Sequence, residues 1–272
     1  SVSVGANVIP ISNLNDAVAG AGRLHFTVES AGNQLSTDPN LAWTPQPVEI
    51  WTGGTGSGAV VALTVNFGVT PRQDDVVVVG GSQTAFSGAV TPALSTSGYT
   101  TVEQSSNVSS SFATSLGLWY KAMGASPDTS VTLAAPGASG RPQTVQVSIW
   151  RFIDTSNILD IAYVGATYRN SSGSTKLIDF LSITPVTAGA IIIGWGAGGG
   201  PNTDTLQYSG TSDFDSVTQQ GPFQASNQRS TLSALGRKRW SSGAFNAAAF
   251  TNTDTTGTST YRCFIIALRP KL

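Results

Sequence analysis

The stretch Ala190 to Gly200, AIIIGWGAGGG, decides how the chain is read. An apolar, β-branched run enters Gly194, Gly196 and Gly199, the spacing G-x-G-x-x-G, and Asp213 and Asp215 follow. In a dinucleotide-binding fold such glycines open a helix whose N-terminus holds a pyrophosphate. That chemistry needs helix-forming sequence directly after them. Here GPNTDTLQYSGTSDF (200–214) follows, and Pro201, Asn202, Ser209 and Gly210 interrupt any amphipathic stripe. No strand–helix–strand unit comes next. The stretch therefore reads as a buried strand over 190–195 with a flexible glycine exit, and no cofactor is expected.

Working outward, most of the chain has period two. AVVALTVNF (59–67), DVVVVGG (75–81), SLGLWYKAM (115–123), TVQVSIWRF (144–152) and TYRCFIIALRP (260–270) are β-branched and aromatic, with Gly, Pro, Asn or Asp between them. ASPDTS (125–130) predicts a hairpin turn joining SLGLWYKAM to SVTLAA, because Pro127 presets φ and Asp128 can bond back to the chain. RNSSGSTK (169–176) predicts a solvated loop. The best helical candidate, LNDAVAGAGRL (14–24), is weakened by its glycines. Many short strands with polar turns predict an all-β fold, an antiparallel β-sandwich of jelly-roll type. Residues 1–55 hold Pro10, Pro39, Pro45 and Pro47 and end at GGTGSG (53–58), a hinge-like cluster. They read as an N-terminal attachment arm, or as extra strands of the sandwich, with the β-domain over 56–272.

Composition narrows the function. Charged residues are only 11% of the 272, against roughly a quarter in an ordinary soluble protein, and the net charge is −1. No basic field exists to bind nucleic acid. The densest basic run, Arg237-Lys238-Arg239 beside Trp240, reads as an exposed turn. A weakly charged surface lies against neighbouring protein with little charge to desolvate. The single cysteine, Cys263, sits in an apolar run and reads as a small buried hydrophobe, so no disulfide or cysteine metal site forms within one chain. No segment reaches 18 apolar residues, so no membrane insertion is expected, and SVSVGANVIPISN lacks the basic and apolar marks of a secretory leader.

Catalytic motifs are sparse. The one histidine, His25, falls on the polar face of RLHFTVES, there is no G-x-S-x-G, and no metal site is expected. Asp154, Asp160, Asp179, Asp204, Asp213 and Asp215 could supply a glycosidase's carboxylate pair, but in a sandwich most Asp residues cap turns, so no enzyme is expected. A sugar site instead needs an aromatic face and neutral hydrogen-bonding groups. Trp195, Asn202, Asp204, Tyr208 and Trp240 are the candidate glycan contacts, with Tyr99 and Phe214 also near Gly- or Ser-rich segments. The competing reading is that these aromatics fill the core or an oligomer interface.

Four segments, in order, resemble a β-sandwich family of tailed-phage and phage-like virion proteins. SLGLWYKAMGASPDTSVTL (115–133) resembles its strand–turn–strand, and VQVSIWRFIDTSNILDIA (145–162) its strand and corner. SITPVTAGAIIIGWGAGG (182–199) and CFIIALRP (263–270) resemble its later strands. The family's corner usually carries Gly after Arg, whereas Phe152 follows Arg151 here. The resemblance covers about 56–272 and implies a fibre, spike or decoration on the particle surface. It implies capsid or tail partners, further copies of the chain, and in some cases a carbohydrate-binding jelly roll presented to a host polysaccharide.

Overall fold

A computed structural model describes residues 46–272 apart from 60, 86–90, 109–112, 138–140, 171–175, 202–207, 210–212, 226–228, 253–258 and 272. Of the first 45 residues it describes β1 (Glu29–Ser30) and β2 (Asn33–Gln34), which pair antiparallel. The helix expected over 14–24 and His25 lie outside the described residues. Compact units divide at Pro45/Gln46, ten residues before the boundary expected from the glycine cluster. The glycine cluster is not a hinge: all of it but Gly58 lies in β3 (Val48–Ser57), an edge strand of a large sheet. Side chains added at Gly53 and Gly56 would overlap the rings of Trp51 and Phe223, so these glycines make room for aromatics.

The unit from Gln46 is all-β with antiparallel pairing, as expected of a β-sandwich. Its first half supplies β3, β4 (Leu63–Asn66), β5 (Val76–Ala85), β6 (Thr100–Val108), β7 (Ala113–Ala122), β8 (Ser130–Leu133) and β9 (Gln143–Arg151). They form a sheet of order β3-β9-β5-β7-β6, and β4-β8 cover its outer face. The second half supplies β10 (Leu159–Asn170), β11 (Lys176–Ile178), β12 (Ile191–Pro201), β13 (Tyr208–Ser209), β14 (Ser216–Gln224), β15 (Arg229–Arg239), β16 (Phe250–Asn252) and β17 (Ser259–Leu268). Their sheet has the order β10-β17-β12-β15-β14, and β11-β16-β13 cover it. Asp128 does not close a hairpin between β7 and β8: β8 pairs with β4 instead, because Val131 and Leu133 belong to the core outside the first sheet.

The two orders are one plan used twice. Each first strand pairs with its half's last strand across a bulge, between Glu49 and Trp51 in β3 and between Leu159 and Ile161 in β10. Entry to the third strand repeats too. Asp74 N donates to Met123 O and Met123 N to Asp75 O; Gly189 N donates to Trp240 O and Trp240 N to Ala190 O. Asp74 (φ 70°) and Gly189 (φ 82°) each sit in the left-handed region two residues before the strand. The sequence carries a matching signal, LTVNFGVTP (63–71) beside KLIDFLSITP (176–185), with Lys121 opposite Lys238 and Arg151 opposite Arg269.

The two large sheets pack face to face about a pseudo-two-fold axis. β5 meets its counterpart β12, β5 meets β15 as β12 meets β7, and β3 meets β14 as β10 meets β6. Gly80 and Trp195, both four residues into their strands, are equivalent and face each other. A methyl at Gly80 would overlap the Trp195 indole. Two tryptophans would collide there and two glycines would leave a void; one of each fills the space. At one end the inter-sheet core is apolar, built from Val76, Trp150, Ile191 and Leu268. Toward the other end it is buried Ser, Thr and Gln, joined across the halves by Thr144 to Ser233 (2.8 Å), Gln146 to Ser233 (3.0 Å) and Thr114 to Thr260 (2.7 Å).

Candidate functional site

AIIIGWGAGGG is strand throughout. The glycines do not form a flexible exit, because β12 continues to Pro201 and pairs through them with both β15 and β17. Their backbone groups are spent on the sheet, leaving no ring of amides for a phosphate. Their missing side chains leave room for Phe180 and Phe214 at Gly194, Ile178 at Gly196 and Tyr261 at Gly198. Trp195 is fully buried (0% exposed), so neither ring face is open to a sugar. Trp240 lies on the other face of the same sheet, packed against the outer core, and its Nε1 donates to Gly243 O (2.8 Å). Phe214 is buried among Phe180, Phe245 and Phe250 in edge-to-face contacts of 5.3 to 6.0 Å. Tyr208 falls in β13, paired with Asn252. Asn202 and Asp204 lie outside the described residues.

Four of the six acids serve the fold. Asp154 accepts Ser156 N (2.9 Å), Asp213 accepts Ala248 N (2.6 Å) and Asp215 accepts Arg239 N (2.7 Å). Buried Asp160 accepts Val186 N (2.6 Å), Thr187 N (3.1 Å), the Thr187 hydroxyl (2.5 Å) and Arg269 Nε (3.3 Å). Among the described residues, no group of three His, Cys, Asp or Glu side chains could hold a metal, and no helix is long and apolar enough to cross a membrane. Cys263 is buried as expected, and burial pushes its thiol up to about 12.

Two clefts among the described residues are related by the pseudo-two-fold axis. The larger, about 510 Å³, lies where β6 and β7 meet the approach to β10, and is lined by Thr100, Tyr120, Ala122, Thr155, Ser156 and Asn157 among others. The smaller, about 190 Å³, lies where β14 and β15 meet β3. There Ser216 stands for Thr100, Arg237 for Tyr120, Arg239 for Ala122 and Glu49 for Leu159. No family model matches the chain, and neither a curated protein nor a solved structure matches it.

The smaller cleft is closed by its own charges. The run Arg237-Lys238-Arg239 is not a turn but the end of β15, held there by sheet pairing and ion pairs. Arg237 is buried, faces Glu49 across the halves (3.3 Å) and donates to Thr52 (2.8 Å), Ser216 (3.0 Å) and Thr218 (3.2 Å). Burial raises Glu49 above the usual carboxylate range, and Arg237 only partly offsets it. Arg239 donates to Pro47 O (2.5 Å) and Gln46 (3.2 Å). In the larger cleft the one cation is pinned at its side. Lys121 donates to Asp128 (2.8 Å) and Ser97 O (3.3 Å) and lies 5.3 Å from the Tyr99 ring. The aromatic-plus-neutral-polar chemistry sought around Trp195 thus occurs at Tyr120, Thr155, Ser156 and Asn157, residues the sequence gives no reason to group.

Proposed function

We propose that this chain is a structural or accessory protein of a phage or phage-like virion, anchored through its N-terminal region and presenting the β-domain at the particle surface. The observation that carries the reading is the strand order. Numbered along the second half, the large sheet runs one, eight, three, six, five and the cover two, seven, four. We read this as a jelly roll whose fifth strand has joined the large sheet, an architecture shared by capsid, lectin and cupin domains. The first half follows the same order, and among its described residues the fourth strand is reduced to a single antiparallel bridge, Leu94 with Leu133 of β8. Fold alone does not fix function; three further features support the reading. The chain is poor in charge, Asp154, Asp160, Asp213 and Asp215 bond backbone amides, and Phe152, at the corner where the resembled family carries Gly, has φ 65°. The partners proposed are capsid or tail proteins and further copies of the chain.

The test is co-expression with the capsid and tail genes neighbouring its own, followed by particle purification. The full chain should co-purify with particles. A chain lacking residues 1–45 should keep its β-domain folded and be lost from them. Absence of the full chain from particles would sink the virion reading; retention of the shortened chain would sink the anchoring role. A second reading, a receptor-binding module for a host surface polysaccharide, is favoured by the larger cleft.

A further inference from the structure

The geometry points to the larger cleft, lined by Tyr120, Thr155, Ser156 and Asn157, as a binding site for a neutral saccharide. Its source as a host glycan rests on the receptor-binding reading above, whereas the chemistry rests on the cleft alone. The comparison with its pseudo-symmetric mate makes the case. Both clefts occupy one place in the plan, yet the second is filled by Arg237, paired with Glu49, and by Arg239, bound to Pro47 O and Gln46. Replacing them by Tyr120, Ala122 and Leu159 removes every one of those ion clamps and leaves about 510 Å³ in place of about 190 Å³. That volume is within the roughly 300–1,000 Å³ of small-molecule sites.

The lining selects the ligand. An anion needs an unpaired cation, and Lys121 is already held by Asp128. A cation needs a free carboxylate, and Asp154, beside the cleft, is committed to Ser156 N. An apolar ligand would leave the Thr100, Thr155, Ser156 and Asn157 side chains unpaired. Hydroxyls and one amide, each able to donate and accept, match a sugar's hydroxyls. Tyr120 packs on the inter-sheet core and also lines the cleft, an aromatic held in place where sugar C–H groups can lie against it. Asp154 holds the rim by accepting Ser156 N (2.9 Å) and, through its carbonyl, Asn157 N (3.3 Å).

The full chain is applied to an array of neutral and acidic glycans, and bound glycans are titrated against three variants. Neutral glycans should bind. Asn157→Ala, which removes an amide, and Ala122→Arg, which copies the plug of the second cleft, should each weaken binding about tenfold or more. Lys238→Ala, at the second cleft, should leave binding unchanged, and all three should keep the wild-type melting temperature. If Ala122→Arg fails to fold, Thr155→Val replaces it, with the same expected loss. Absence of neutral-glycan binding, a preference for acidic glycans, or binding that survives both cleft substitutions overturns the site. Particle incorporation of the Asn157→Ala chain separates the two claims: lost glycan binding with normal incorporation is expected of the cleft. Absence of the wild-type chain from particles bears on the virion reading alone.

Discussion

In the first half, the carboxylate that ties the Thr-Pro corner to the last strand is Asp75, at the foot of β5; in the second it is Asp160, at the bulge of β10. Asp75 accepts Arg72 N (2.7 Å) and Arg151 Nε (2.9 Å). Asp160 accepts Thr187 N (3.1 Å) and Arg269 Nε (3.3 Å). Arg151 and Arg269 are equivalent, as are the two corner amides, yet the acids are not: Ala190 stands at the place of Asp75, and Ile50 at that of Asp160. The plan demands a buried acceptor for that amide and that guanidinium, and leaves open which strand provides it. The clefts differ in the same manner, one built with ions and one without.

The largest effect should come from the axis, where equivalent residues meet. Trp195→Gly opens a large void in a fully buried site and should cost about 3–5 kcal/mol. Gly80→Trp alone should be at least as harmful through overpacking. The exchange of both, placing Trp in the first half and Gly in the second, should recover most of the loss. Urea denaturation of the four proteins closes a double-mutant cycle. If the exchanged protein is no more stable than the sum of the singles predicts, the two positions are not related by the axis. Next comes the ion pair of the smaller cleft. Arg237→Tyr alone leaves half-buried Glu49 without its partner and Thr52, Ser216 and Thr218 without their donor, and should cost about 3 kcal/mol. Adding Glu49→Leu, which copies Leu159, should restore most of it; a double variant as unstable as the single would break the equivalence of the clefts.

Much of the architecture is legible in the sequence. Val76–Val79 and Ile191–Ile193 read as strands because both faces of their sheets are covered, which makes the apolar run continuous. Glycine misleads. In GGTGSG and GWGAGGG it suggests hinge and loop, but Gly56, Gly194 and Gly198 are small because Phe223, Phe214 and Tyr261, all distant in the chain, lie over them. The repeat is present as FGVTP and FLSITP, weakened by a one-residue insertion and by acids that moved between strands. The cleft is not legible at all. Thr100, Tyr120 and Asn157 come from three separate segments, and only the crossing of the two sheets brings them together.

The two halves should also separate by pH at adjacent positions of one bulge. Burial raises Glu49, whereas at Asp160 the hydrogen bonds of Thr187 and Val186, with Arg269, outweigh burial and hold the acid below its ordinary 3.8. A lowered acid contributes stability above its unfolded value, and that contribution is lost as pH falls toward the folded value. A raised acid acts in the opposite sense: the folded state gains as pH falls from its folded value to 4.5. Asp160→Asn should therefore cost about 2 kcal/mol near neutrality and flatten the acid limb. Glu49→Gln should remove a loss of stability on raising pH above 4.5. Denaturation midpoints between about pH 3 and 7 test both; parallel curves for the two variants would remove the contrast.

The smallest effect concerns the corner after the last strand of the first half. Phe152 lies in the left-handed region (φ 65°), and at the equivalent place of the second half stands Pro270, whose ring forbids that conformation. The first half turns there to lead the chain into β10. A β-carbon costs about 1 kcal/mol in this region, which glycine would relieve. Glycine also surrenders the packing of a half-buried ring and loosens the unfolded chain. The terms nearly cancel, so Phe152→Gly should shift stability by less than about 1 kcal/mol. Phe152→Ala keeps the strain and loses the ring, so it should be the less stable of the two. The order Gly above Ala in thermal melting therefore measures the strain itself. The reverse order would mean that the turn carries no left-handed penalty, and that the difference between the halves at this corner is one of packing alone.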